Sequence, residues 1–272
     1  HAKLSCSGES VGLPPGTMGN SEVGHLNIGG GRLVRQEVMR IRESVERGEF
    51  CKNPAFLGAA ENCKRYDSSL HIIGLFSDGL VHSDPGHLKA LLEFCKQQGL
   101  MKVFLHTVLD GRDTPQQSAE KFLRETSGWM KEFGVGKYAS TGGRYYYMDR
   151  DKRWERVEKA YAAMVLGEGE KAGSAMEALQ NSYKKKETDE FVKPTVIEEG
   201  GKPVALVQDN DSIIFFNYRS DRPRELTSAF VLKDFSGFAR EKLTKVYFVT
   251  MTQYDVNLPV RVAFPPHEIK MG

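Results

Sequence analysis

Along this chain, short runs of β-branched and aromatic residues alternate with longer stretches whose apolar positions recur every three or four residues. LHIIGLFSDG (70–79), MKVFLHTVLDG (101–111), KYASTGGR (137–144), SIIFFNYRSD (212–221) and KVYFVTMTQYD (245–255) have the composition and polar endings of buried strands. Between them, DPGHLKALLEFCKQQG (84–99) places Pro at a helix first turn, Leu88, Leu91, Leu92 and Cys95 at helical spacing, and Gly at the close. TPQQSAEKFLRETSGWMKEFG (114–134) and RDKRWERVEKAYAAMVLGEG (150–169) follow the same grammar. EGEKAGSAMEALQNSYKKKETDEFVKP (168–194) reads as a charged helix whose Lys184 to Lys186 run faces solvent. Strand, loop, helix, strand predicts an α/β fold, a mostly parallel sheet with helices on both faces.

In such a sheet, binding residues gather where strands end. His82 follows the first run, Arg112 and Asp113 the second, Arg144 and then Arg150 the third, and Arg219 and Arg222 the fourth. Arginine is always charged, and its planar fork of donors matches a carboxylate or phosphate in two-pronged fashion. If the strands are parallel neighbours, these side chains converge on one edge and form an oxyanion-binding cluster. The alternative is that each arginine pairs with a nearby Asp and faces solvent. Arg112 beside Asp113 offers a cation for one ligand oxygen and an acceptor for a hydroxyl, which suits a small hydroxylated acid. His82 is either a satisfied structural histidine or a ligand contact. Grouping it with Asp78, Asp84 or His87 around a metal would require the helix that begins at Pro85 to fold its first turn back.

Composition narrows the partners. Lys and Arg number 38 against 36 Asp and Glu, a net +2, too even to suggest a nucleic-acid or membrane-surface binder, so an anionic partner must be met by a local cluster. Cys6, Cys51, Cys63 and Cys95 contain no CxxC pair, which argues against a zinc site or a disulfide framework and fits a cytoplasmic location. No apolar run approaches the length of a membrane span. The opening HAKLSCSGES has neither Met nor a signal-type apolar region, so the chain is expected to begin inside a longer protein.

TMGNSEVGHLNIGGGR (17–32) sets Ser21 in a glycine-spaced loop, with Asn20 before it and His25 one helical turn on. A serine hydroxyl needs activation by a base or a metal to act as a nucleophile. The esterase pattern GxSxG is absent, because Val23 stands where its second Gly belongs. A base four residues along the same helix is a poor basis for a triad, so metal activation is the better route. Asn20 and the helix-start amides would then favour phosphoryl oxygens. NIGGGR lacks the preceding strand and spacing of a dinucleotide-binding loop.

Together, VGLPPGTMGNSEVGHLNIGGGR, SDGLVHS, DGRDT, GRYYYMDRDKRWERVEKAY, IIFFNYRSDRPREL and MTQYD resemble, in this order, the cofactor-independent phosphoglycerate mutases, from about Ser7 to Pro266. The resemblance implies an alkaline-phosphatase-like α/β domain holding two divalent metal ions, Mn2+ or Mg2+, and a transiently phosphorylated serine. A second α/β domain, inserted into the first, grips the glycerate. It further implies that Ser21 is both nucleophile and metal ligand, that Asn20 supports its loop, and that His82, Arg112, Asp113, Arg144, Arg150, Arg219 and Arg222 contact substrate. The implied reaction interconverts 3-phosphoglycerate and 2-phosphoglycerate through phosphoserine without 2,3-bisphosphoglycerate. The family tendency is monomeric, with no nucleic-acid or membrane partner.

Departures accompany the likeness. Family members are roughly twice this length, and the metal-binding Asp and His motifs that flank the matching region are not found here. Asp84 stands where the family usually has His. Residues 1–34 are therefore expected to be a fragment of the phosphatase-like domain carrying the nucleophile loop, 35–267 the transferase domain, and 268–272 the start of a return linker, with the chain inactive on its own. Two other readings stay open: a non-catalytic module that binds a phosphorylated acid, and a metal-dependent phosphatase of the same superfamily.

Overall fold

The computed structural model describes residues 4–19, 21–240 and 245–266. The chain forms two compact units, one ending at Phe50 and the other starting at Cys51. The expected linker, 268–272, lies outside the described residues.

In the first unit a 3-10 turn, Gly8–Val11, precedes helices α1 (Ser21–Gly30) and α2 (Glu37–Glu46). Asn27 ties the unit together: its side-chain amide donates to the carbonyls of Val11 (3.1 Å) and Val23 (2.9 Å), and its oxygen accepts from the Val34 amide (2.7 Å). Gly29 and Gly30 close α1 instead of opening a helix. They therefore present no helix N-terminus to an anion, in keeping with the poor match to a dinucleotide loop.

The second unit begins with α3 (Pro54–Tyr66), capped by Asn53, whose side chain accepts from the Ala55 amide. Strand β1 (Leu70–Phe76) and helix α4 (Pro85–Gln97) follow. Asp84, the departure from the family pattern, caps α4 by accepting from the Gly86 amide at 2.8 Å. Then come β2 (Val103–Leu109), α5 (Ala119–Phe133), β3 (Lys137–Gly143), α6 (Arg144–Tyr147) and α7 (Trp154–Val165). The stretch read as one charged helix instead opens with strand β4 (Glu170–Ala172). Helix α8 covers only Ala175–Lys184, because the Ser174 hydroxyl accepts from the Glu177 amide and sets the start there. A 3-10 turn at Asp189–Phe191 leads to β5 (Thr195–Glu199), β6 (Lys202–Pro203), β7 (Ser212–Phe215), α9 (Arg224–Val231), β8 (Tyr247–Thr252) and β9 (Arg261–Phe264).

The strands form one sheet in the order β4-β5-β3-β2-β1-β7-β8-β9, with β6 on β5. Pairings from β3 through β9 are parallel, as is β4 with β5, whereas β3 with β5 and β5 with β6 are antiparallel. The sheet is thus mostly parallel but mixed. From β1 the chain winds outward through β2 to β3, then returns to the other side of β1 with β7, β8 and β9. This reversal between β1 and β7 is a topological switch point, the place where open α/β sheets bind their ligands.

Alternation along each strand feeds two cores. Ile73, Leu75, Val108, Ile213, Phe215 and Phe248 pack with Val157, Ala160, Tyr161 and Met164 of α7 and Leu226 and Phe230 of α9. On the other face Leu109 joins Ala119 and Leu123 of α5 with Ala178 and Leu179 of α8, and Phe56 of α3 meets the rings of Phe94 and Phe264. A buried polar chain runs from Asp211, just before β7, across β1, β2 and β3. His71 lies 3.1 Å from Asp211 and 2.9 Å from His106, which lies 2.8 Å from the Ser140 hydroxyl. Satisfied networks of this kind fix strand register.

Candidate functional site

The loop after β2 folds upon its first residue. Asp110 Oδ1 accepts the amides of Arg112 (3.1 Å) and Asp113 (3.0 Å), and Oδ2 accepts from the Ser77 hydroxyl (2.5 Å) just past β1. Gly111 makes that turn at φ +68°, and a Cβ there would also lie 2.9 Å from the Asp189 side chain.

Arg144, at the end of β3, is the hub. Its side chain is 2% exposed; Nη1 donates to Asp110 Oδ1 at 2.7 Å and to Asp113 Oδ2 at 2.5 Å, and Nη2 lies 3.0 Å from His82 Nε2. The position is set by close approach of backbone, since a Cβ on Gly143 would lie 2.0 Å from the Glu190 carbonyl oxygen. Gly143→Ala is therefore expected to push the Asp189–Phe191 turn away and lower stability by about 1–3 kcal/mol, measurable by urea unfolding.

The loop after β7 is held from β8 and beyond. The Tyr254 hydroxyl lies within hydrogen-bond reach of the carbonyls of Phe215 (3.0 Å) and Asn217 (2.6 Å), and Thr252 Oγ1 donates to Tyr218 O (2.6 Å). The Tyr218 amide in turn donates to His82 O at 2.8 Å, joining the loops on either side of the switch point. On this support Asp221 accepts from Arg150 Nη1 (2.8 Å) and Arg219 Nε (3.1 Å), and Arg222 Nη1 donates to Met148 O (3.0 Å). Arg112 lies 3.4 Å from Glu190.

Electrostatics ties these pieces into one cluster. Burial, and then repulsion from Arg144, Arg150 and Arg112, lowers the pKa of Arg222. Burial, and then Arg144, pushes His82 down to about 3 against the attraction of Asp221, so the ring is neutral. Burial works against the Asp110 carboxylate, but the Asp113 amide, Ser77 and Arg144 outweigh it and hold its pKa below the usual carboxylate value. The tautomer of His82 follows from its neighbour. A guanidinium can only donate, so Nε2 accepts and the proton resides on Nδ1. That buried Nδ1–H has no hydrogen-bond partner among the described residues; Asp221 Oδ1, at 3.9 Å, faces it.

Arg112, Asp113, Arg144, Arg150, Arg219, Arg222 and His82 thus gather at one sheet edge. The two readings of the arginines merge: each of Arg112, Arg144, Arg150 and Arg219 does meet a carboxylate, yet they do so together. Sequence reasoning missed Asp110, Asp221 and Glu190. The first two sit inside the DGRD and RSDR stretches, whereas Glu190 lies 78 residues from the arginine it meets and has no local signal. His82 joins neither Asp84 nor His87, which lie 3.8 Å from each other.

Ser21 belongs to the first unit, where it opens α1 and is exposed. His25 Nδ1 lies 3.3 Å from Ser21 Oγ but only 2.6 Å from the Ser21 carbonyl oxygen. A carbonyl only accepts, so Nδ1 carries the proton and cannot take one from the hydroxyl. Asn20 lies outside the described residues. Among the described residues no three His, Cys, Asp or Glu side chains are grouped to hold a metal ion, so those around Ser21 do not by themselves fit one.

The fold and this edge define a doubly wound α/β protein with a cationic site at its switch point. The family model described as "BPG-independent PGAM N-terminus" matches residues 41–256. The 2,3-bisphosphoglycerate-independent phosphoglycerate mutase 1 of Methanosarcina barkeri is 55% identical over 269 residues, 98% of this chain and 52% of that protein. That of Clostridium perfringens (strain ATCC 13124) is 56% identical over 267 residues, again 98% and 52%. A Leishmania mexicana phosphoglycerate mutase, crystallised at low cobalt concentration, superposes with a TM-score of 0.89 at 33% identity over 96% of this chain and 50% of its own. The chain belongs to the cofactor-independent phosphoglycerate mutase family, and it spans about half the length of the curated relatives it matches.

Proposed function

We propose that this chain supplies the nucleophile loop and the substrate grip of a 2,3-bisphosphoglycerate-independent phosphoglycerate mutase, an isomerase that interconverts 3-phosphoglycerate and 2-phosphoglycerate through a phosphorylated Ser21. The observation that carries this reading is the convergence of five arginines and a neutral histidine at one switch point, since Arg222 feels Arg144, Arg150 and Arg112, and His82 feels Arg144, Arg219 and Arg222. Such a cluster suits a small acid with two anionic groups. A plain phosphatase has no need to retain the dephosphorylated alcohol, whereas a mutase must hold the glycerate between half-reactions.

In this reading residues 1–34 carry the nucleophile and 35–267 grip the glycerate. Arg112, Arg144, Arg150, Arg219 and Arg222 meet its anionic oxygens, Asp113 accepts from a hydroxyl, and His82 donates from Nδ1. The likeness to mutases, one of them crystallised at low cobalt concentration, supports a role for divalent metal ions, which in this reading would be held at Ser21.

Calorimetric titration of the 272-residue chain with 3-phosphoglycerate is therefore expected to give saturable one-to-one binding, weakened at least about tenfold (1.4 kcal/mol) in Arg222→Ala. Turnover in added manganese should be negligible. Absence of binding at millimolar ligand, or turnover like that of a full-length mutase, would overturn the respective halves of the proposal.

A further inference from the structure

The proposed function leaves Asp221 without a role, yet it is the carboxylate at the open end of the cluster. We infer that Asp221 is a tethered placeholder anion: it holds the Arg150–Arg219 end of the cluster and yields it to the second anionic group of an incoming ligand. This rests on the reading of the edge as a phospho-acid site.

Three observations carry the inference. First, Asp221 bridges two of the arginines, at 2.8 Å from Arg150 and 3.1 Å from Arg219, and its Oδ1 faces the His82 Nδ1–H from 3.9 Å without bonding it. A ligand oxygen that came closer would satisfy both guanidinium groups and the imidazole at once.

Second, the ion pairs of the cluster fall into two kinds. Arg144 is 2% exposed and its Asp110 partner 1%, so separating them would strand a charge in the interior. The side chains of Arg150, Arg219 and Asp221 are 46%, 31% and 30% exposed. Pairs in contact with water contribute only about 0–1 kcal/mol each. The Asp221 pairs can exchange partners; the buried Arg144–Asp110 pair cannot, and Arg144 keeps only its Nε as a donor without a partner among the described residues. Burial opposes charge on Asp221, but Arg219 and Arg150 outweigh it and lower its pKa, so the placeholder is anionic at neutral pH.

Third, Arg222 has no carboxylate within ion-pair distance among the described residues; it donates to the neutral carbonyl of Met148 while three arginines oppose it. A single small anion gains most at Arg222 and need not disturb Asp221. A ligand with two anionic groups is held at Arg222 by the first. Its second group then competes with Asp221 from an equally tethered position, which a separate anion in solution cannot do.

The test compares the wild-type chain, Asp221→Asn and the charge-matched control Asp78→Asn, whose carboxylate pairs with Lys121 instead of the cluster. Each is titrated calorimetrically with 3-phosphoglycerate and with inorganic phosphate, after thermal melting has established that it is folded. In Asp221→Asn, 3-phosphoglycerate is expected to bind about tenfold tighter. Phosphate stoichiometry is expected to rise from one per chain to two, with neither change in the control. Weaker binding would show that Asp221 positions the arginines, and unchanged binding that it is a bystander; either overturns the inference, as does an equal gain in the control. If wild type ignores 3-phosphoglycerate but a second phosphate site opens in Asp221→Asn, the placeholder stands and the phosphoglycerate reading falls. If Asp221→Asn does not fold, Asp221→Ser is carried through the same titrations.

Discussion

Replacing Arg144 with Ala is expected to abolish measurable phosphoglycerate binding, a loss of at least about a hundredfold, and to lower stability by about 3–5 kcal/mol. No other cation in the cluster combines such burial with so many partners: two carboxylates and the accepting nitrogen of His82 depend on one guanidinium. Without it, Asp110 keeps its bonds from Ser77 and the Arg112 and Asp113 amides but loses its buried counter-charge. The loop carrying Arg112 and Asp113 then loses its anchor to β3. Lysine should restore little, because an ammonium cannot span three acceptors set around a plane. A second substitution separates the two losses. Asp110→Asn in the Arg144→Ala background removes the stranded charge, so urea unfolding should recover a large part of the stability while calorimetry shows no return of binding. Stability within 1 kcal/mol of wild type in the single variant would mean that water reaches this pair after all.

The strand-end placement of these residues was legible in the sequence for a simple reason. A buried parallel strand shows as a short, mostly apolar run, so its end is visible and the residues beyond it fall on the sheet's carboxyl edge. LHIIGLF, VFLHTVL and SIIF illustrate this, with His82, Arg112 and Arg219 following. The antiparallel insertion of β5 between β4 and β3 was not legible. Its partner β4 is three residues long with two of them exposed, and no apolar pattern distinguishes it from the helix that follows. The carboxylates were hidden for another reason. Which acid meets which arginine depends on loops that approach from separate parts of the chain, as Glu190 reaches Arg112 through a turn pressed against Gly111 and Gly143. The significance of Asp84 was also invisible until the α4 cap could be seen.

The same buried groups predict how the protein meets acid. His82, held near 3 by burial and Arg144, lies below its ordinary 6.5, and His106, lowered by burial and then His71, behaves alike. In the unfolded chain both take up protons as soon as pH drops below 6.5, whereas the folded chain resists. Their contribution is complete above 6.5 and is lost progressively as pH falls, for His82 down to about 3 and by about 5 kcal/mol. Asp110 and Asp221, lowered for the reasons given, add losses below the ordinary carboxylate range. Glu225 works in the opposite direction. Burial raises it to about 7, so its charged form is a cost that disappears as pH falls from 7 to 4.5. The balance predicts a shallow decline between pH 6.5 and 4.5 followed by a steep fall below 4.5, read from urea midpoints across a pH series. His82→Gln should flatten the decline, and Glu225→Gln should steepen its upper part by removing the offset. An acid limb unaltered in His82→Gln would show that the ring is not buried beside Arg144, and the tautomer that directs Nδ1–H toward Asp221 would fall with it.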